Sequence, residues 1–344
     1  MVHRSGRITN IAATTLEHIK KDIADNVYDM RAYLRYLKNK GHIKRLDGGR
    51  MYYCPVALEA GLSAWYYPAD AGAPWGGAFA KTLNVDQVLA AEYTWHYLYG
   101  HLSIDGSEEM QNMGKMQAVD VVRGRVDLVK EQIADALNTA LYDWFPADLA
   151  TYPANHYFHS LNVVAPDDGI LEASGEGVMA GGLDGAVHAA WVSNDVNAQA
   201  DYSDLAAKML ELWMDMYDDG AKIDLLIMHP DVYEAYETIG ANNAKFMDHK
   251  LIDLGFQQAT YKGVPIITDP ECKDGSDKAG ARDECLYMLD HRHLGMFVHN
   301  KREIASEPFR RSEVSVDAWF TRFYWMGNMW CNNRRRQGVI SFSE

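Results

Sequence analysis

Residues 107–143 carry the pattern that most restricts how this chain can fold. Val119, Val122, Val126, Val129, Ile133, Ala136 and Ala140 recur at spacings of three and four, and Asp120, Arg123, Arg125, Asp127, Lys130, Glu131 and Asp135 fill the gaps. One apolar stripe with charge on the remaining surface is the pattern of an amphipathic helix. At 1.5 Å per residue it would span ~50 Å. Gly124 interrupts it at a cost of about 1 kcal/mol relative to alanine. A helix this long with a single stripe is a spine against which a sheet packs.

The remaining segments supply a helical lead, a long excursion and an α/β region. Upstream, Leu16, Ile19, Ile23, Val27, Met30, Leu34 and Leu37 lie on one helical stripe, and Gly41 ends it. Residues 48–102 are rich in Gly, Pro and aromatics; Tyr52–Val56 and Ala64–Tyr67 read as strands with a tip at Ala71–Gly77. An excursion of this length is functional or leans on a neighbour. From residue 201, Ser203 is placed to cap a helix through Tyr217, with Leu205, Met209, Leu212, Trp213 and Met216 on one side. "IDLLIMH" reads as a buried strand, "PDVYEAYETIG" as a short helix, and "ATYKGVPIITD" as a hairpin around Lys262–Gly263. "CLYMLD" and "GMFVHN" add two strands, so this is an α/β region of about a hundred residues. Residues 313–342 read as strands, "EVSVDAWFTRFYWM" and then "NMWCNNRRRQGVISF", the first with Val314, Val316, Ala318 and Phe320 on one face. No repeat of 20–50 residues is evident.

Totals exclude several classes. A chain of 344 residues with 48% hydrophobic and 24% charged residues can bury a full core in two or three subdomains. A net charge of −15 argues against a basic nucleic-acid coat. No apolar run approaches the ~18 residues of a membrane span, and the N-terminal sequence has no signal-peptide pattern. Cys54, Cys272, Cys285 and Cys331 lack C-x-x-C spacing and read as reduced thiols, Cys272 and Cys285 being the pair that a bridge would join.

Chemical motifs are few. "GEGVMA" at Gly175–Ala180 lacks the strand before and helix after that a dinucleotide loop needs. "GGAFAKT" has Ala80 where a phosphate-binding loop requires glycine. His291 and His293, with His299 near, could offer a metal two imidazoles, but Arg292 between them repels a cation. The loop "DPECKDGSDKAGARDE" lacks the carboxylate order of a calcium loop. No nucleophile, base and oxyanion set emerges, so no catalytic, cofactor or metal residue is assigned. Arg334, Arg335 and Arg336, read on a strand, alternate in direction, and pair with carboxylates or reach a partner.

The block "WMGNMWCNNRRRQGV" at Trp325–Val339 resembles a C-terminal block of the major capsid proteins of tailed phages, W-x-G-N-x-x-C-x-N-R-x-x-Q-G-V. Trp325, Gly327, Asn328, Cys331, Asn333, Arg334, Gln337, Gly338 and Val339 stand in its places. "ADNVYDMRAYLRYLKNKGHIKRLDGGR", "WYYPADA", "AAEYTWHYLYGHLSIDGSEEMQNMG" and "MAGGLDGAVHAAWVSN" are similar to further blocks of that family, in the same order. The resemblance implies an α+β chain of the HK97-like capsid fold. Its parts would be an N-terminal arm at 1–47 and an extended β-hairpin loop, with an adjoining strand of the peripheral domain, at 48–102. A peripheral domain with the spine helix and long sheet would take 103–165, an axial α/β domain 166–305, and closing peripheral strands 306–344. Tryptophans would pack on the spine helix and arginines would sit at subunit contacts.

The implied function is structural and not enzymatic: hexamers and pentamers of an icosahedral phage head around packaged double-stranded DNA, held without sequence-specific binding. The implied partners are further copies of the chain, a portal and, because the arm begins almost at Met1, a separate scaffolding protein. The implied location is the virion, after assembly in the bacterial cytoplasm. Lys81 lies near the end of the loop, where some relatives crosslink, but no catalytic Glu can be assigned and no crosslink is expected. The alternatives are an encapsulin-type nanocompartment shell and a soluble metal-dependent α/β enzyme.

Overall fold

The computed structural model describes residues 31–57, 88–105, 115–142, 158–165, 179–185, 188, 191–240, 260–273, 282–311 and 318–343. In chain order they form α1 (Ala32–Lys40), β1 (Ile43–Leu46), β2 (Met51–Ala57), β3 (Val88–Thr94), β4 (His96–Asp105), α2 (Lys115–Tyr142), α3 (Leu161–Val164), β5 (Met179–Ala180), β6 (Leu183–Asp184), β7 (Asn194–Gln199), α4 (Leu205–Asp218) and β8 (Leu225–Met228). They continue as α5 (Pro230–Gly240), β9 (Thr260–Tyr261), β10 (Val264–Thr268), β11 (Arg282–Leu289), β12 (Leu294–His299), β13 (Ala305–Ser306), β14 (Arg310–Arg311), β15 (Ala318–Cys331) and β16 (Gly338–Ser343).

The first sheet is built around β15. One edge of β15 pairs with β4 along its length, from Ala318 opposite Asp105 to Gly327 opposite His96. Its other edge takes β12, β13 and β14, all antiparallel, and β1 runs parallel outside β12. Strand alternation separates two faces. Thr321, Phe323 and Trp325 are buried on one, while Arg322 on β15 and Tyr97 and Tyr99 on β4 stand open on the other. The face carrying Ala318 and Phe320 is therefore the open one; Val314 and Val316 lie outside the described residues.

Helix α2 packs on the buried face. A Cβ added to Gly100 of β4 would come within 2.8 Å of Val129 Cγ1, so helix and strand are in direct contact there. The expected stripe holds at Val126, Val129 and Ile133 and then shifts. Leu137 and Leu141 are buried, while Ala136 is exposed and Ala140 half-buried, because burying leucine removes more apolar surface from water than burying alanine.

The second sheet has the order β7-β16-β11-β8-β10-β9. Its β8 explains why "LLIM" is apolar throughout. Leu225 and Ile227 join the core beneath α2, while Leu226 and Met228 join the core under α4. A strand covered on both faces needs apolar residues at every position. Lys262 and Gly263 both have positive φ, 49° and 83°, as the two-residue turn between β9 and β10 requires. Helix α4 buries Leu205, Met209, Leu212 and Met216 as the spacing predicts. Ser203 is not its cap: Asp204 holds that position, and its Oδ1 accepts the Gln199 N–H at 2.9 Å instead of capping α4.

Strands β2 and β3 form an antiparallel ribbon in register from Met51–Thr94 to Ala57–Val88. Cys54, Val56, Ala91 and Tyr93 pack it on Phe297 and Trp330, at the β12 end of the first sheet. The returning arm is thus β3; the expected Ala64–Tyr67 strand and Ala71–Gly77 tip lie outside the described residues. Helix α1 ends in Gly41 at φ 75°, with His42 N–H on Leu37 O and Gly41 N–H on Lys38 O. It buries Tyr33, Leu34 and Leu37 in the α2 core, so residues 31–46 belong to the body of the subunit and not to an arm. Leu16, Ile19, Ile23, Val27 and Met30 lie outside the described residues.

Two expected boundaries move. Strand β12, assigned with 166–305 to the axial part, pairs into the first sheet; β16, assigned to the closing peripheral strands, lies inside the second. The reason is that apolar segments of similar composition fit either sheet, and their pairing partners decide the placement. The two expected C-terminal strands also divide differently: β15 runs unbroken through Cys331, and the break falls at Asn332–Gln337.

Candidate functional site

The Trp325–Val339 block contributes to two of the three cores and, at Gly338, abuts the third. Trp325 is 2% exposed, lies in the core beneath α2 and faces Phe158 at 6.2 Å between ring centroids. Gly327 makes this geometry fit, since a Cβ there would lie 2.6 Å from Phe297 O and 2.8 Å from the Trp325 ring. Asn328 is fully buried and satisfied on both sides. Its Oδ1 accepts the His159 and Met329 N–H groups, both at 2.8 Å, and its Nδ2 donates to Thr94 O at 3.0 Å. One amide thereby ties β15 to the end of the ribbon and to the segment before α3.

Trp330 departs from expectation: it packs in the ribbon core with Tyr52 and Phe297, not on the spine helix, and Lys44 Nζ lies 3.5 Å from its ring centre. Next to it, the Tyr93 hydroxyl donates to Cys331 O at 2.5 Å and accepts the Cys331 N–H at 3.1 Å. Burial pushes the Cys331 thiol up to about 12, so it stays protonated and is a poor nucleophile or metal ligand.

The three arginines occupy a 3₁₀ turn, Arg334–Arg336, not a strand, and serve three purposes. Arg334 is 2% exposed, its Nε donating to Val164 O at 2.9 Å and its Nη1 to Trp191 O at 3.1 Å. The expected place at a subunit contact is wrong for this residue, which closes the interior of its own chain. Arg336 is half-buried with Nη1 2.6 Å from His293 Nε2, and Arg335 is exposed, its Nε 3.7 Å from Asp219 Oδ1. Gln337 then exchanges two hydrogen bonds with the Asp290 backbone, both 3.1 Å. Gly338 lets β16 approach α4, where a Cβ would meet Leu212 and Met216 at 2.8 Å.

The histidines singled out in the sequence do not converge. His291 is buried, its Nδ1 2.7 Å from Asp224 Oδ1 and its Nε2 3.3 Å from the Tyr33 hydroxyl. His293 Nδ1 is 2.8 Å from Asn332 Oδ1, and His299 packs edge-on against Trp95. Asp290 beside them is buried. Burial opposes its ionisation, but the Arg292 guanidinium and the Lys222 and Arg292 N–H groups outweigh that and hold its carboxyl below the usual range. A depressed carboxylate stabilises the fold above its unfolded value of about 3.9 and loses that contribution as pH falls through the folded value. Acid unfolding should therefore steepen below about pH 4, and Asp290→Asn should flatten that part of a stability-against-pH curve; an unchanged slope would refute the assignment.

Among the described residues one His, Asp and Glu group comes within 4.8 Å, namely His229, Asp231 and Glu284 at the start of α5. His229 Nδ1 accepts the Asp231 N–H at 3.3 Å, which caps the helix. Cys272 and Cys285 are free and buried with their sulfurs 3.7 Å apart, and Cys54 and Cys331 are also free and buried. No described helix is long and apolar enough to cross a membrane. Of the motifs considered, "GGAFAKT", the first four residues of "GEGVMA" and residues 274–281 of the acidic loop lie outside the described residues.

Sequence reasoning missed the open face of the first sheet, where Tyr97, Tyr99 and His101 of β4 align with Met326, Tyr324 and Arg322 of β15. The signal was present in "HYLYGHL", whose polar and aromatic positions alternate with Leu98, Gly100 and Leu102.

No protein-family model and no curated protein matches the chain. Solved structures do. The cyanophage A-1(L) capsid asymmetric unit aligns over 87% of this chain and 89% of its own at 15% identity, with a TM-score of 0.59. The capsid of an empty GTA particle aligns over 88% and 94% at 10% identity and 0.55, and the capsid of Myoviridae phage XM1 over 88% and 90% at 10% identity and 0.50. With mixed helices and sheets arranged as in these structures, the chain has the fold of tailed-phage major capsid proteins.

Proposed function

We propose that the chain is the major capsid protein of a phage head, assembling into hexamers and pentamers of an icosahedral shell around packaged double-stranded DNA. The observation that carries this reading is the capsid fold, matched over nearly nine-tenths of the chain. In HK97-like terms α2 is the spine helix, β2 and β3 are the base of the extended loop, the first sheet is the peripheral sheet, and the second sheet with α4 and α5 is the axial domain. Residues before Arg31 would form the arm, and residues 58–87 the outer part of the loop. The role is structural: the polar groups of the C-terminal block are spent on holding the subunit together. The proposed partners are other copies of the chain and a portal, in the virion.

The test is expression of the chain alone and with a co-expressed phage scaffolding protein, followed by sedimentation and electron microscopy. Closed shells or capsomers are the expected result. A protein that stays monomeric at high concentration under both conditions would refute the reading. Shells that enclose protein cargo and never DNA would favour the encapsulin alternative.

A further inference from the structure

Two of the four cysteines meet where the second sheet is fastened to α2. Cys272 follows the end of β10, and Cys285 lies in β11. Lys273 and Glu284 pair as an isolated antiparallel bridge, and that register sets Cys272 directly opposite Cys285. The Cys285 N–H donates to Cys272 O at 3.4 Å, and the two sulfurs stand 3.7 Å apart. Both residues are fully buried, in the core beneath α2. Each strand is tied to its surroundings beside the pair. The Cys272 N–H donates to Asp269 O, and Asp269 Oδ1 accepts Asn138 Nδ2 of α2 at 3.0 Å. On β11, Tyr287 is fully buried in the same core. The sulfurs are in van der Waals contact. They need approach by only about 1.7 Å to reach the ~2.05 Å of a disulfide. Rotation about χ1 of both side chains moves sulfur along that path.

We infer that Cys272 and Cys285 are a latent disulfide, open in the chain as made and closed by a peroxide after release, and that closing it tightens the joint between the second sheet and α2. Burial selects the reagent. A protein thiol or a bulky low-molecular-weight disulfide cannot reach either sulfur in the folded chain, whereas hydrogen peroxide is small enough to penetrate. One thiol gives up its proton and its sulfur attacks a peroxide oxygen. The O–O bond breaks, water leaves, and that sulfur is oxidised to a sulfenic acid. The second sulfur attacks it, the S–O bond breaks and the S–S bond forms. The departing hydroxyl takes the second thiol's proton and leaves as water. Two thiols and one peroxide thus give one disulfide and two waters. The same burial then shields the bond from reducing thiols. Only the timing rests on the shell reading, because a virion leaves the reducing compartment in which its chain is made.

The experiment uses the full chain. Cells lysed directly into denaturant with an alkylating agent should yield protein with all four thiols alkylated. Folded protein treated with hydrogen peroxide and then denatured should have two, with peptide mapping placing the bond between Cys272 and Cys285. The cysteines lie 13 positions apart, and closing a loop of that size should raise the folded-to-unfolded ratio in urea by ~100-fold. Hydrogen exchange of the α2 amides around Asn138 should slow by ~10-fold. Cys285→Ala should gain nothing from peroxide. Should that variant not fold, unfolding the oxidised wild type with and without a phosphine reductant makes the same comparison. A chain already bridged at lysis would overturn the switch and make the bond constitutive. Four thiols after peroxide, a sulfinic acid at either cysteine, or a bond to Cys54 or Cys331 would overturn the pairing. A bond that forms without slowing exchange in α2 would overturn the tightened joint. These outcomes read the same whether or not the chain builds shells, so a failure of the shell reading is seen separately, as absence of particles.

Discussion

Replacing Arg334 with alanine should destabilise the isolated subunit by about 3–5 kcal/mol, because it orphans buried carbonyls and leaves a cavity. The carbonyls are those of Val164 and Trp191, which Arg334 holds at 2.9 and 3.1 Å. Arg334→Met should recover part of the packing yet still cost about 2 kcal/mol, since methionine donates no hydrogen bond. Arg335→Ala, one residue away and exposed, should stay within about 0.5 kcal/mol of wild type. Urea denaturation of purified subunits measures all three. Equal stability of the Arg334 and Arg335 alanine variants would show that the buried guanidinium contributes nothing.

Trp325→Ala should cost about 3–5 kcal/mol for the cavity it opens. Its ring fills the space between Gly327, Phe158 and the core beneath α2, so the loss removes contact among β15, the segment before α3 and the helix layer. Trp330 should respond differently. Its Nε1 is buried and has no hydrogen-bond partner among the described residues. Trp330→Phe therefore discards an unsatisfied donor while keeping a ring beneath Lys44, and should cost no more than about 1.5 kcal/mol. A Trp330→Phe variant as damaged as Trp325→Ala would show that the indole N–H is satisfied in the folded protein.

Elements whose local chemistry decides their conformation were legible in the sequence. Pro230 and Gly240 bracket α5, Lys262–Gly263 dictates a hairpin, and the unbroken apolar run of β8 demands cover on both faces. What depends on distant partners was not legible. Nothing local distinguishes Arg334 from Arg335; only the carbonyls of Val164 and Trp191, far back in the chain, select the one that is buried. Nor does "NMWC" announce that it continues β15, because its pairing with β12 keeps the strand extended. The two-residue strands β13 and β14 are too short to carry a pattern and exist because β15 offers them an edge. The C-terminal block was recognisable as a resemblance, but its reason lies inside the chain: its side chains fill two cores and Gly338 lets β16 approach α4.

The order of the strands has a consequence for when the protein can first become itself. In the first sheet β15 lies between β4 on one side and β12, β13 and β14 on the other; in the second, β16 lies between β7 and β11. Both central strands come after every one of their partners in the chain. During synthesis, therefore, each sheet waits as separated halves whose inner edges have nothing to pair with. Neither half can close until the ribosome has delivered the strand that belongs between them. The open face of the first sheet is half made of β15, so it too does not exist on a nascent chain. A growing polypeptide therefore cannot complete either sheet early, and on the proposed reading translation itself would time the appearance of a subunit able to join a shell.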